Sequence, residues 1–226
     1  MFGQGDTSFT LVELMVVIAV IALVATLAFP AYQSVMASSR STQCRANLRE
    51  IFTAFQGYVQ DNNGQYPPAT ANPNNVNSYW FLAIGTYQSE GRRFDPTKVG
   101  TNGPWPQNIP FACPSCTNHG WGRAGIDVGV NGYQLGAGLN TSVLRAAHVS
   151  TPAATMLVAD AQSPGGSGAW QIGCRTGPNK EFEKNAIAMR HKGRANVLYF
   201  DGHVGQITAE QLNDPKFVEQ LGGPEF

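Results

Sequence analysis

Residues 9 to 29 form one apolar run with a single acid, Glu13, set near its start. At 21 residues the run is long enough to cross a bilayer core, for which about 20 suffice. A carboxylate at the bilayer centre costs roughly 2.5–3.5 kcal/mol, so an acid inside such a segment points to function and calls for a cation at the same depth. The run itself holds no Lys, Arg or His. A new α-amino group on Phe9 of a neighbouring copy, made by proteolysis, would supply that cation. An ordinary signal peptide wants a basic stretch ahead of its apolar core, and residues 1 to 8 contain no Lys or Arg. A plain single-pass anchor leaves the acid unexplained.

Phe9-Thr10-Leu11-Val12-Glu13-Leu14 resembles the N-terminal motif of type IV pilins and type II secretion pseudopilins. The resemblance implies cleavage after Ser8 by a prepilin peptidase and N-methylation of the new Phe9 amine. It also implies that Glu13 pairs with the Phe9 amine of an adjacent subunit during assembly. Two features of the leader differ from the family: Ser8 stands where Gly is usual, and Asp6 is the only charge where basic residues are usual. Serine is small enough for a peptidase subsite built for glycine.

Beyond the apolar run the pattern predicts that the same helix continues to about Asn62. Cys44, Leu48, Ile51, Phe52, Phe55, Tyr58 and Val59 recur at helical spacing and make one apolar stripe, suited to cover a globular head. Cys44 opens that stripe and reads as a buried thiol. Arg40, Arg45, Arg49 and Glu50 fall off it and are expected in water. Pro30 removes one helical hydrogen bond and predicts a kink. The small residues from Ser34 to Thr42 would let neighbouring helices approach closely, as in a filament core. Asn62-Asn63-Gly64 and then Pro67-Pro68 end the helix.

The remainder is rich in turn-forming residues. Residues 65 to 110 read as an irregular insert with a short helix around Tyr79–Leu82, and Thr155–Asp160 as a buried strand. Two β-prone runs within 195–207, separated by Asp201-Gly202, predict a hairpin with a type I′ turn. His191 stands ten positions before Asp201, and this His-x9-Asp-Gly spacing resembles a C-terminal signature of a pseudopilin-like family. Arg190-His191, Cys113-Pro114-Ser115 and Val130-Asn131-Gly132 also resemble that family. His191, Asp201 and His203 are a conceivable transition-metal set. The turn chemistry already accounts for Asp-Gly, however, so no metal is expected there. No acid-rich loop supports calcium, which takes 6–8 oxygen ligands.

Four cysteines occur, at 44, 113, 116 and 174. Cys113-x-x-Cys116 admits zinc, a redox dithiol or a disulfide. There is no second C-x-x-C for zinc, although His119 lies close, and no βαβ pattern for a dithiol. In an exported head, a disulfide among Cys113, Cys116 and Cys174 is expected, with pairing open. A net charge of zero and the lack of a basic patch give no support to nucleic-acid binding. No nucleophile elbow, zinc-protease helix or P-loop supports an enzyme.

The expected fold is α+β: a long N-terminal transmembrane and amphipathic α-helix packed on a small antiparallel β-sheet head. The expected divisions are a leader at 1–8, an assembly helix at 9–32, its amphipathic half at 33–64 and a head at 65–226. By resemblance, the chain is a non-enzymatic filament subunit without a cofactor, most closely a pseudopilin of a type II secretion system. A surface pilus subunit for adhesion, motility or DNA uptake, and a minor pilin acting as a binding module, are alternatives. A membrane-anchored hydrolase is the remote one. The implied partners are copies of itself and other pilin-like subunits, prepilin peptidase, the inner-membrane assembly platform and lipid. The implied location is the bacterial inner membrane with a periplasmic head, followed by a filament in the periplasm or on the cell surface.

Overall fold

A computed structural model describes residues 10–69, 79–89, 109–116, 126–131, 135, 144–162, 171–172 and 186–223. Helix α1 is continuous over Leu11–Asp61, close to the predicted span. Pro30 lies inside it, and the helix continues on both sides of the proline. The chain divides into two compact units at Ser39/Arg40.

In the first unit every large apolar side chain from Leu11 to Phe29 is exposed, with Leu11 73% and Leu27 72% accessible. Burying one such side chain is worth roughly 1.5–3 kcal/mol. A helix apolar on all sides and uncovered therefore belongs in lipid or among other helices.

In the second unit the later turns of α1 behave as an amphipathic cover. Cys44, Leu48, Ile51, Phe55 and Val59 are buried, while Phe52 and Tyr58 are half-buried against the core. Arg40 and Arg49 are exposed, whereas Arg45 and Glu50 are partly covered. The helix stops where Asn63 and Gly64 take left-handed φ values of 54° and 76°, and the Gly64 amide donates to the Val59 carbonyl.

The sheet has five strands: β1 (Val128–Asn131), β2 (Met156–Asp160), β3 (Gln171–Ile172), β4 (Arg194–Tyr199) and β5 (Val204–Thr208), in the order β3-β1-β2-β4-β5. Four strands pair antiparallel, as expected, and the two-residue β3 adds a parallel edge beside β1. β1 and β2 are buried at every position and so lack the alternation of a half-exposed strand.

Two apolar clusters account for this burial. One joins Leu48, Ile51 and Phe55 of α1 to Val128, Val130, Leu157, Val158 and Leu198. The other joins Met156, Ala159, Ala195, Val197 and Ile207 to Leu212 and Leu221. Leu221 lies on α3 (Pro215–Gly222), a helix beyond the expected elements although its start carries clear sequence signals. Asp214 is its N-cap and accepts from the Lys216 amide at 2.9 Å, and Pro215 opens the first turn.

The described parts of 65–110 are not an insert. Tyr66, Ala69, Tyr79, Trp80, Phe81, Ile84 and Ile109 are buried in the core beneath α1. Trp80, on the short helix α2 (Trp80–Ala83), stacks on Phe55 and meets Phe111 edge-on.

The β4–β5 hairpin forms as expected, but its turn differs. Asp201 has no positive φ; Gly202 alone does, at 92°. The Gly202 amide donates to the Tyr199 carbonyl, and the Tyr199 amide donates to the His203 carbonyl. This is a three-residue loop that ends in a left-handed glycine. The two-residue turn with both φ values positive lies instead at Lys192-Gly193, at 55° and 76°. There the His191 and Arg194 backbones exchange both hydrogen bonds.

Candidate functional site

Two places concentrate chemistry, one in each unit. The first is the start of α1. The Thr10 amide and hydroxyl donate to Glu13 Oε2 at 2.8 and 2.7 Å, and the Glu13 amide donates to Thr10 Oγ1 at 3.3 Å. This is a capping box, in which an N-cap threonine and an acid three residues on satisfy each other's exposed amides. The spacing Thr10-x-x-Glu13 is its sequence signature and was legible. Glu13 is the acid in the first turn of a helix long and apolar enough to span a membrane. Ser8 and Phe9, the expected processing residues, lie outside the described residues.

The second place is a buried cluster of Cys44, Cys113, His191 and Asp160. Four separate elements position it. Cys44 comes from α1, and Cys113 from the Phe111–Cys116 segment. His191 is held by the Lys192-Gly193 turn. Asp160 ends β2, where a β-bulge sets its direction: Met156 pairs with Tyr199, but Val158 pairs with Leu198, so Leu157 is an extra residue. Leu157 and Val158 consequently both join the α1-side cluster, and the side-chain parity of β2 reverses after Met156. Without that reversal Asp160 would face the α3-side cluster.

The Cys44 and Cys113 sulfurs lie 2.8 Å apart. His191 Nε2 is 3.6 Å from Cys113 Sγ and 3.2 Å from Asp160 Oδ2, and its Nδ1 is 3.4 Å from Ser115 Oγ. Asp160 Oδ2 also accepts from the Asn196 amide at 2.7 Å. Neighbouring Arg190 donates to the carbonyls of Asp127 and Ala161, which anchors the turn that carries His191.

Ionisation in this cluster follows from the contacts. Burial disfavours a charged imidazole at His191, but the hydrogen bonds to Asp160 and Cys113 outweigh it and push its pKa up to about 9. As thiols, the two sulfurs split: the Cys44 contact, with His191 helping against burial, brings Cys113 down to about 6. The same Cys113 contact, together with burial, pushes Cys44 far up. Among the described residues, Cys44, Cys113 and His191 also offer one metal-ligand atom each within 4.8 Å of one another.

His191 does not meet Asp201 and His203, the conceivable metal set for which no metal is expected. His191 is buried with the cysteines and Asp160, while exposed His203 pairs with Asp201 at 2.7 Å and stacks on Tyr199. Asp201 and His203 thus serve the hairpin. Of the disulfide candidates, Cys113 faces Cys44, a residue outside the expected set. No disulfide is closed among Cys44, Cys113 and Cys116, and Cys174 lies outside the described residues. In sequence Asp160 is legible only as the end of a buried strand. Its role depends on the bulge, for which the sequence carries no signal.

Comparison with known families finds the prokaryotic N-terminal methylation motif at residues 6–29. Comparison with curated proteins and with solved structures gives no match. The family match spans the N-terminal segment, including Glu13 and the exposed apolar turns, and it supports a type IV pilin-like, membrane-anchored subunit.

Proposed function

We propose that this chain is the precursor of a pilin-like filament subunit, cleaved after Ser8 and N-methylated on Phe9. It is held in the inner membrane by the first turns of α1 and then assembles with other pilin-like subunits. The single observation that carries this reading is the methylation motif at 6–29, which coincides with the stretch of α1 from Leu11 to Phe29 whose large apolar side chains are all exposed. Within that class the reading is a secretion-type pseudopilin, supported by the likeness of His191…Asp201-Gly202 to a pseudopilin-like C-terminal signature. Its role is structural rather than enzymatic.

In this scheme Glu13 lies in hydrocarbon beside the Phe9 amine of an incoming subunit. A charge pair 4 Å apart that is worth about 1 kcal/mol in water strengthens severalfold as the effective dielectric falls. The pair would thus bring subunits into register while leaving the apolar faces to pack. Intact-mass analysis of the membrane-extracted protein tests the reading. The expected mass lacks residues 1–8 and carries one extra methyl group. A mature chain that retains residues 1–8 sinks both the processing and the amine partner of Glu13. Long surface fibres containing this chain in electron micrographs would move it from the secretion type to a surface pilus.

A further inference from the structure

We propose that Cys44 and Cys113 form a buried disulfide that ties α1 to the Phe111–Cys116 segment. The two sulfurs approach to 2.8 Å, about 0.8 Å longer than the covalent bond of about 2.05 Å. Two thiolates bound to one zinc at about 2.3 Å in tetrahedral geometry would lie roughly 3.7 Å apart, so the approach fits a bond better than a shared metal.

The surroundings fix this register. Asn47, one turn after Cys44 on the same buried face, donates to the Ala112 carbonyl at 3.2 Å. On the other side of the bond the Cys113 amide donates to Asp127 Oδ2 at 2.8 Å. Cys113 is therefore held by both ends of the peptide group that precedes it, the carbonyl end against the helix turn that carries Cys44. Both cysteines are at most 3% exposed. The bond must therefore close while the head is still folding.

The chemistry is thiol–disulfide exchange with a disulfide donor, either a protein dithiol oxidant or glutathione disulfide. A Cys113 thiolate attacks one donor sulfur before the head has closed over it. The donor disulfide breaks, and one donor thiolate leaves. Cys44 then loses its proton and attacks Cys113 Sγ, which breaks the mixed disulfide and releases the second donor thiolate. The cysteine pair loses two electrons and two protons, and the donor gains both as two thiols. After closure His191 keeps its contact with Asp160.

The pairing goes beyond the filament reading and rests on it only for the oxidising compartment that supplies the donor. The test uses the full chain extracted from membranes, alkylated without reductant and mapped by mass spectrometry. The expected result is a Cys44–Cys113 linked peptide pair that is two hydrogens lighter than its parts. Reductant should lower the melting midpoint by roughly 10 °C, given the 69-residue separation. A Cys44→Ser/Cys113→Ser double variant should show no such response.

Native thiols that close on exposure to oxidised glutathione in mild urea would support the pairing and count against the exported location. Thiols that stay open under that treatment would overturn the pairing. So would a bond from either cysteine to Cys116 or Cys174, or stoichiometric zinc released together with two free thiols.

Discussion

Glu13 has two separable roles. Its carboxylate completes the capping box with Thr10, and in the proposed filament its charge meets a neighbouring amine. Glu13→Leu removes both, so a defect in that variant does not say which role failed. Glu13→Gln separates them, because glutamine serves in a capping box but carries no charge. Membrane insertion should be normal or improved in both variants, since each removes a charge from the apolar segment. Filament yield should fall for glutamine as far as for leucine, measured by cross-linking of extracted subunits. Wild-type yield from Glu13→Gln beside a defective Glu13→Leu would assign the residue to helix initiation alone.

Among the elements, the β4–β5 hairpin is the most exacting. Gly202 has φ at 92°, and a Cβ built there would lie 2.4 Å from Phe52 Cε1 on α1. The glycine is thus required twice: by the turn, and by the close approach of the helix cover. Gly202→Ala should destabilise the protein by about 1–3 kcal/mol in urea melts, combining backbone strain and overpacking. In a Phe52→Ala background the loss should shrink to the backbone share alone. An unchanged loss there would show that the ring simply turns aside. By contrast, His203 and Asp201 pair in the open, where ion pairs contribute little.

For the whole molecule, the buried cluster links stability to pH. The folded-state pKa of His191 is raised to about 9, from an ordinary value near 6.5. The unfolded chain releases that proton first, so the stabilisation is complete below about pH 6.5 and is lost as pH rises through about 9. A free Cys113, lowered to about 6, gains stability over much of the same window and offsets this, so the fall belongs to the chain with the Cys44–Cys113 bond closed: there the melting midpoint should drop as pH rises above about 6.5, and His191→Gln should flatten the drop. An identical slope in the variant would place the titration elsewhere. Asp160 supports the charge without the sulfurs, so the drop remains after closure, and it ends below about pH 9 because the share of Cys113 is gone.

Local sequence is enough for the long helix, its change from apolar to amphipathic, the strand at 155–160 and the hairpin near 201. Each of these rests on local periodicity or on turn residues a few positions apart. Asp214-Pro215 and Thr10-x-x-Glu13 carried equally local signals for α3 and the capping box. The company of His191, by contrast, is settled by packing between distant elements. Its tie to Asp160 needs the one-residue bulge at Leu157, and its contact with Cys113 needs the Lys192-Gly193 turn. Cys44 and Cys113 meet because α1 packs its Cys44–Asn47 face on residues 111–116. Contacts between elements far apart in the chain follow from how whole faces are buried, and no window of sequence encodes them.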